Sequence, residues 1–157
     1  MPDVSLPVLV VDDFATMTRI MTGLLNQIGF QDVDACLSGA EALGKLAVRR
    51  YGLILCDLEM DPMNGAEFAR RVRIGPPPNE CPILLTTASR ESAAQCVRDG
   101  VHEFVNGFIL KPFKPADLQL KLAEIDERLR LKKRQREQEP LIERVETPGN
   151  KTPRPQS

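Results

Sequence analysis

The 157-residue chain has no tryptophan, one tyrosine and a single histidine, His102. One histidine cannot complete a zinc site of the usual spacing, and none of the four cysteines, Cys36, Cys56, Cys81 and Cys96, forms a CxxC pair. Cys36 and Cys56 fall in apolar, strand-like runs, where a reduced thiol behaves as a small hydrophobe. No apolar stretch is long enough to span a bilayer. No signal peptide is visible, because Asp3 and Asp12 interrupt the N-terminal region. A cytoplasmic location is the default expectation. The net charge of −1 argues against wholesale nucleic-acid binding. That value conceals an asymmetry. From Lys132 onward seven Lys/Arg face four Glu, a surplus of three positive charges, so the rest of the chain carries −4.

What is present is a regular alternation. Short apolar runs at Val8–Val11, Val33–Leu37, Leu53–Cys56, Ile83–Thr86 and Phe108–Leu110 read as strands. Between them lie amphipathic stretches that read as helices over 16–28, 38–49, 64–73 and 90–99. A last helix starts at Pro115, carries an inner stripe of Leu118, Leu122, Ile125 and Leu129, and is expected to continue to about residue 138. Ser38 with Glu41 makes a capping box, and Gly75-Pro76-Pro77-Pro78-Asn79 is a loop. Asn106-Gly107 reads as a tight turn. Prolines 140, 148, 153 and 155 mark residues 139–157 as a disordered tail. Five βα units imply a parallel sheet with helices on both faces. In such sheets the functional crevice lies beyond the carboxyl ends of the strands.

The polar residues collect at those ends. Asp12 and Asp13 close the first strand, Asp57 the third, Thr87 the fourth, and Lys111 follows the fifth. Each alone has an ordinary explanation: a helix N-cap, a loop acid, a strand-end hydroxyl, a surface lysine. Their joint appearance at equivalent positions does not. Carboxylates brought together repel unless a cation sits among them, and Mg²⁺ prefers oxygen ligands.

With Val10-Val11-Asp12-Asp13, Asp57-Leu58-Glu59-Met60, Met63-Asn64-Gly65, Thr86-Thr87-Ala88 and Lys111-Pro112-Phe113 in order, the chain resembles the receiver domain of two-component response regulators, the CheY-like family. The resemblance covers residues 7 to about 130 and implies a (βα)5 flavodoxin-like α/β fold, strand order 2-1-3-4-5, with a receiver domain over 1–131. It implies that Asp57 accepts a phosphoryl group from a sensor histidine kinase or a histidine phosphotransfer protein. Mg²⁺ would be held by Asp13, Asp57 and the backbone carbonyl of Glu59, with Asp12 acting through a metal-bound water. Thr87 and Lys111 would contact the phosphoryl group, Phe108 would stand at the aromatic switch position, and Lys111-Pro112 would match the family's cis peptide. The implied role is that of a phosphoacceptor signalling protein, not an enzyme acting on other substrates, with an output partner that the sequence does not name. No DNA-binding domain is expected after residue 131. Two departures stand out: Asp61 occupies the place where the family usually has proline, and the segment 101–107 is a few residues longer than usual.

Two other classes compete. A signalling-nucleotide effector would use Arg70, Arg71 and Arg73, with Arg49 and Arg50 nearby; the bland alternative is a solvated helix face. An aspartyl phosphohydrolase would carry its nucleophile on the first strand in a DxD pattern, which Asp12-Asp13-Phe14 does not supply. Within the signalling class, a phosphate sink in a relay is the variant reading.

Overall fold

The computed structural model describes residues 3–138. The expected tail, 139–157, lies outside the described residues. Five strands, β1 (Val8–Val11), β2 (Val33–Cys36), β3 (Leu53–Asp57), β4 (Ile83–Thr87) and β5 (Gly107–Leu110), alternate with α1 (Ala15–Gln27), α2 (Gly39–Val48), α3 (Gly65–Ile74), α4 (Arg90–Arg98) and α5 (Pro115–Gln138). All strand pairs are parallel, in the order β2-β1-β3-β4-β5. This is the doubly wound arrangement that the alternation called for, and Asp57 lies one step beyond Cys56 as the last residue of its strand.

The inner strands are continuously apolar because both faces of the sheet are covered. Every residue of β1, β3 and β4 is buried. Alternate residues serve opposite layers. Val8, Val10, Leu53, Leu55, Leu84 and Ile109 pack with Met21 and Leu25 of α1 and Leu118, Leu122 and Ile125 of α5. Leu9, Val11, Ile54, Cys56, Ile83 and Leu85 pack with Ala42 of α2, Phe68, Ala69 and Val72 of α3, and Cys96 of α4. Truncating a fully buried residue such as Phe68 to alanine would cost about 3–5 kcal/mol. All four cysteines are free thiols in this packing. The chain divides into two compact units, one ending at Ile125 and a second beginning at Asp126. In the second, the described helix carries the Asp126–Arg130 ion pair at 3.0 Å.

Local signals act as the sequence suggests at most helix starts. Ser38 Oγ accepts from the Glu41 amide at 3.0 Å, and the Glu41 carboxylate turns back to the Leu37 amide at 2.9 Å. Asn64 caps α3 through the Glu67 amide. Gly65 has a stricter reason to be glycine: a Cβ there would lie 2.5 Å from the Asp57 carbonyl oxygen and 2.9 Å from Leu58 Cα. The first turn of α3 therefore presses directly on the end of β3.

One expectation fails, and one competing reading loses its basis. Asn106-Gly107 is not a tight turn. Gly107 is the first residue of β5, in register with Leu84, and a short 3₁₀ turn, Val101–Glu103, takes up the longer segment before it. Asn106 instead splices the strand starts together: its amide donates to the Ile83 carbonyl at 2.8 Å, and its Oδ1 accepts from the Ile83 amide at 2.8 Å. The arginines of α3 do not act as one cluster either. Arg71 pairs with Glu67 at 2.8 Å. Arg73, half-buried, donates to the carbonyls of Asn79 and Cys81 and to Asn106 Oδ1 at 2.7 to 2.9 Å. Arg49 is committed to Asp32 and Asp34.

Arg73 thus ties the end of α3 to the entry of β4 and to the residue before β5. Arg73→Ala should destabilise the protein by roughly 2–3 kcal/mol, since it strands acceptors that are partly shielded from water. Arg70→Ala, at an exposed position, should stay within about 0.5 kcal/mol of the parent. Urea unfolding of the two variants distinguishes a clamp from a solvated face.

Candidate functional site

Register delivers the polar residues to one edge. Val11 pairs with Cys36 and Cys56, so Asp12, just past β1, and Asp57, the last residue of β3, emerge at the same level. One ligand oxygen from each of Asp12, Asp13 and Asp57 lies within 4.8 Å of the others. Asp12 and Asp57 are buried, at 2% and 6% exposure, whereas Asp13 is exposed. Asp12 Oδ1 accepts the Phe14 amide at 3.0 Å, which fixes the entry to α1. Asp13 Oδ2 accepts the Asp61 amide at 3.2 Å. That bond exists only because residue 61 is not proline, so the departure at this position supplies a donor to the acidic cluster.

Lys111 reaches in from beyond β5. Its Nζ stands 3.0 Å from Asp57 Oδ1 and 4.0 Å from Asp12 Oδ2. The Lys111-Pro112 bond is cis, as the motif implied, and Asp61-Pro62 is cis as well. Three carboxylates against one ammonium leave two negative charges in excess, the charge of one divalent ion. Burial pushes the carboxyls of Asp57 and Asp12 above their ordinary range. The lysine opposes this at both, the Phe14 amide also opposes it at Asp12, and neighbouring acids reinforce it. At an effective dielectric of about 20, two charges at this separation repel by roughly 3–4 kcal/mol. The donors are all oxygens in a mixed buried and exposed setting, which suits a hard cation that keeps part of its water.

Around this cluster, Thr87 is fully buried at the end of β4. Its hydroxyl accepts from the Ser89 amide at 3.1 Å and donates to Glu59 Oε2 at 2.7 Å. Phe108 lies on β5 opposite Leu85, partly buried against the layer formed by α2, α3 and α4. The structure thus brings Asp12, Asp13, Asp57 and Lys111 together, sets Thr87 and Glu59 beside them, and leaves Phe108 on the adjoining strand. Sequence reasoning missed two contacts. Thr86, in register with Asp57, places its Oγ1 3.5 Å from Asp57 Oδ1. The Glu59 side chain, where the resemblance assigned a role only to the backbone carbonyl, accepts a hydrogen bond from the Thr87 hydroxyl. Adjacent hydroxyls at Thr86-Thr87 were the available signal, but parity along the strand could not say which would face Asp57.

Residues 8–123 match the family model described as the response regulator receiver domain. The chain belongs to the response regulator receiver family. It is 34% identical over 125 residues to chemotaxis protein CheY-3 of Vibrio cholerae serotype O1, covering 80% of this chain and 95% of that protein. It is 33% identical over 122 residues to chemotaxis protein CheY of Pseudomonas aeruginosa, covering 78% and 97%. Among solved structures it resembles chemotaxis response regulator CheY4 of Vibrio cholerae, with TM-score 0.66, 29% identity and coverage of 76% of this chain and 98% of that one. The structure named putative response regulator from Chloroflexus aurantiacus superposes with TM-score 0.67 at 28% identity, covering 76% of this chain and 96% of that one. The receiver is CheY-like and belongs to two-component signalling. Among the described residues no helix is long and apolar enough to cross a membrane.

In the metal-free receiver the raised carboxyl pKa of Asp12 carries a stability consequence. An acid whose folded pKa exceeds its unfolded value costs stability on ionisation, and the cost grows as pH rises through that window. Asp12→Asn keeps an oxygen acceptor for the Phe14 amide and removes the charge. It should raise the thermal midpoint of the metal-free protein at neutral pH and change it little near about pH 4. Mg²⁺ should stabilise the parent at neutral pH by mass action and the variant much less. Differential scanning fluorimetry across pH, with and without Mg²⁺, reads both effects.

Proposed function

We propose that this receiver accepts a phosphoryl group on Asp57 and signals by a phosphorylation-biased change in protein–protein contacts. The observation that carries the reading is the Lys111–Asp57 contact inside a ring of three carboxylates at one sheet edge. An Asp57 carboxylate oxygen attacks the phosphorus of a phosphohistidine on a kinase or phosphotransfer protein. A P–O bond forms, the P–N bond breaks, and the imidazole leaves with the bonding pair. Lys111 holds Asp57 in place and then offers its charge to a phosphoryl oxygen. Thr87 donates its hydroxyl to another, and Phe108 responds to the movement of Thr87. Asp13, Asp57 and the Glu59 carbonyl would hold Mg²⁺, with the Asp12 carboxylate beside them. When bound, the ion neutralises charge that builds on the phosphoryl oxygens.

The donor protein has a face to grip. Beside Lys111, an apolar groove of about 410 Å³ is lined by Met17, Ile20, Met21 and Leu24 of α1 together with Ala88, Pro112 and Phe113. Ile20 is 49% exposed there. A protein donor that buries this groove brings its histidine to the acidic edge, whereas a small donor needs no such contact. The receiver is a cytoplasmic signalling component whose output partner is met directly, with no activity on other substrates. The exposed Arg70 and ion-paired Arg71 give a nucleotide-effector reading little support, because Arg73 is spent within the fold.

Incubation with acetyl phosphate and Mg²⁺ should add the mass of one phosphoryl group to the parent and none to Asp57→Asn; equal labelling of both would remove the assignment. Ile20→Lys should slow transfer from a protein phosphohistidine about tenfold or more while leaving labelling by acetyl phosphate unchanged. Stopped-flow or quenched transfer assays with the two donors separate these cases.

A further inference from the structure

The side chain of Glu59 has no part in the phosphoryl chemistry above, yet it makes the shortest hydrogen bond at the site's rim. A hydroxyl has one proton to donate. The Thr87 proton goes to Glu59 Oε2 at 2.7 Å, and the lone-pair side of the same oxygen accepts the Ser89 amide at 3.1 Å. Thr87 is fully buried while Glu59 is exposed, so the carboxylate is the partner able to withdraw into solvent. Glu59 lies two residues beyond Asp57 on the same loop, and its charge bears on both Asp57 and Cys96 of α4.

We propose that the Glu59 carboxylate is a positioning residue that occupies the Thr87 hydroxyl in the resting receiver, and that a phosphoryl group on Asp57 must displace it to obtain that proton. This rests on the phosphoacceptor reading and deepens it. The competition is between two anions for one donor. The incoming group carries close to two negative charges and sets itself against the carboxylate as it arrives, so release of Glu59 and capture of Thr87 are one exchange. Seating of Thr87, and with it any response of Phe108, is then opposed in the resting state by a charge-assisted bond that costs free energy to break. Before phosphorylation the device suppresses spontaneous activation. Afterwards it weakens the hold on the phosphoryl group by the same amount.

The test is a double-mutant cycle read by binding of beryllofluoride, a phosphoryl mimic, in the presence of Mg²⁺, with the fold of each variant checked by its amide spectrum. Glu59→Ala should tighten binding roughly three- to tenfold, the scale of an ordinary net hydrogen bond, since the exposed carboxylate regains water when it lets go. That gain should disappear in a Thr87→Val background, which keeps the side-chain shape and lacks the hydroxyl. An equal gain in both backgrounds would mean simple relief of charge at Asp57 and would overturn the proposal, as would no gain in either. A second readout needs neither metal nor mimic. In the metal-free protein, the Ser89 amide resonance should move in Glu59→Ala, part of the way in Glu59→Gln, and not in Glu67→Ala on α3. An unmoved Ser89 amide would overturn the proposal. Failure of the parent to bind beryllofluoride at all would instead overturn the phosphoacceptor reading, leaving the Ser89 shift to decide whether Glu59 holds Thr87.

Discussion

The crowding of three carboxylates at the carboxyl edge of a parallel sheet governs this molecule. Asp12, Asp13 and Asp57 present oxygens within 4.8 Å of one another, with Lys111 as their cationic neighbour. No folding gain comes from that arrangement. Burial and mutual repulsion both work against ionising Asp12 and Asp57. A domain whose stability is a small difference of large terms keeps such a cost only where chemistry uses it. On the proposed reading, a divalent cation and a phosphoryl group would supply the charges, positive and negative, that this edge can accommodate.

The rest of the fold carries that strain. Two apolar layers cover the sheet on both faces and fix strand register, so that a carboxylate on β1 and one on β3 emerge side by side. Gly65 lets α3 press on the end of β3, and Asn106 with Arg73 holds the opposite ends of β4 and β5. The site is therefore built on rigid elements, with Glu59 exposed at its rim and Phe108 only partly buried. On the proposed reading, the short contact between Glu59 and Thr87 is where the resting state is stored.

Much of this was legible in the sequence because the inner strands are buried on both sides and read as unbroken apolar runs. β2, at the sheet edge, was harder: the run suggested Leu37 as its end, but Leu37 is 48% exposed and the strand stops at Cys36. The Asn106-Gly107 dipeptide misled because its intrinsic turn preference yields here to strand pairing, with Asn106 serving as a side-chain splice. The arginines of α3, open in the sequence between a ligand cluster and a solvated face, divide for a different reason. Proximity in sequence is not a shared surface, and Arg73, in the last turn, turns to carbonyls of the following loop. The acidic cluster was visible as strand-end residues. The contacts of Thr86 and of the Glu59 side chain were not, because they depend on register and rotamer, which no local pattern encodes.

The assignment of Asp57 as the reactive group is tested most directly by chemical trapping. An acyl phosphate is reduced by borohydride to an alcohol, so an aspartyl phosphate becomes homoserine at its own position. After phosphorylation by acetyl phosphate with Mg²⁺, peptide mapping should find homoserine at position 57 and unmodified aspartate at 12, 13 and 61. Homoserine at another acid, or none anywhere despite a labelled protein, would contradict the account.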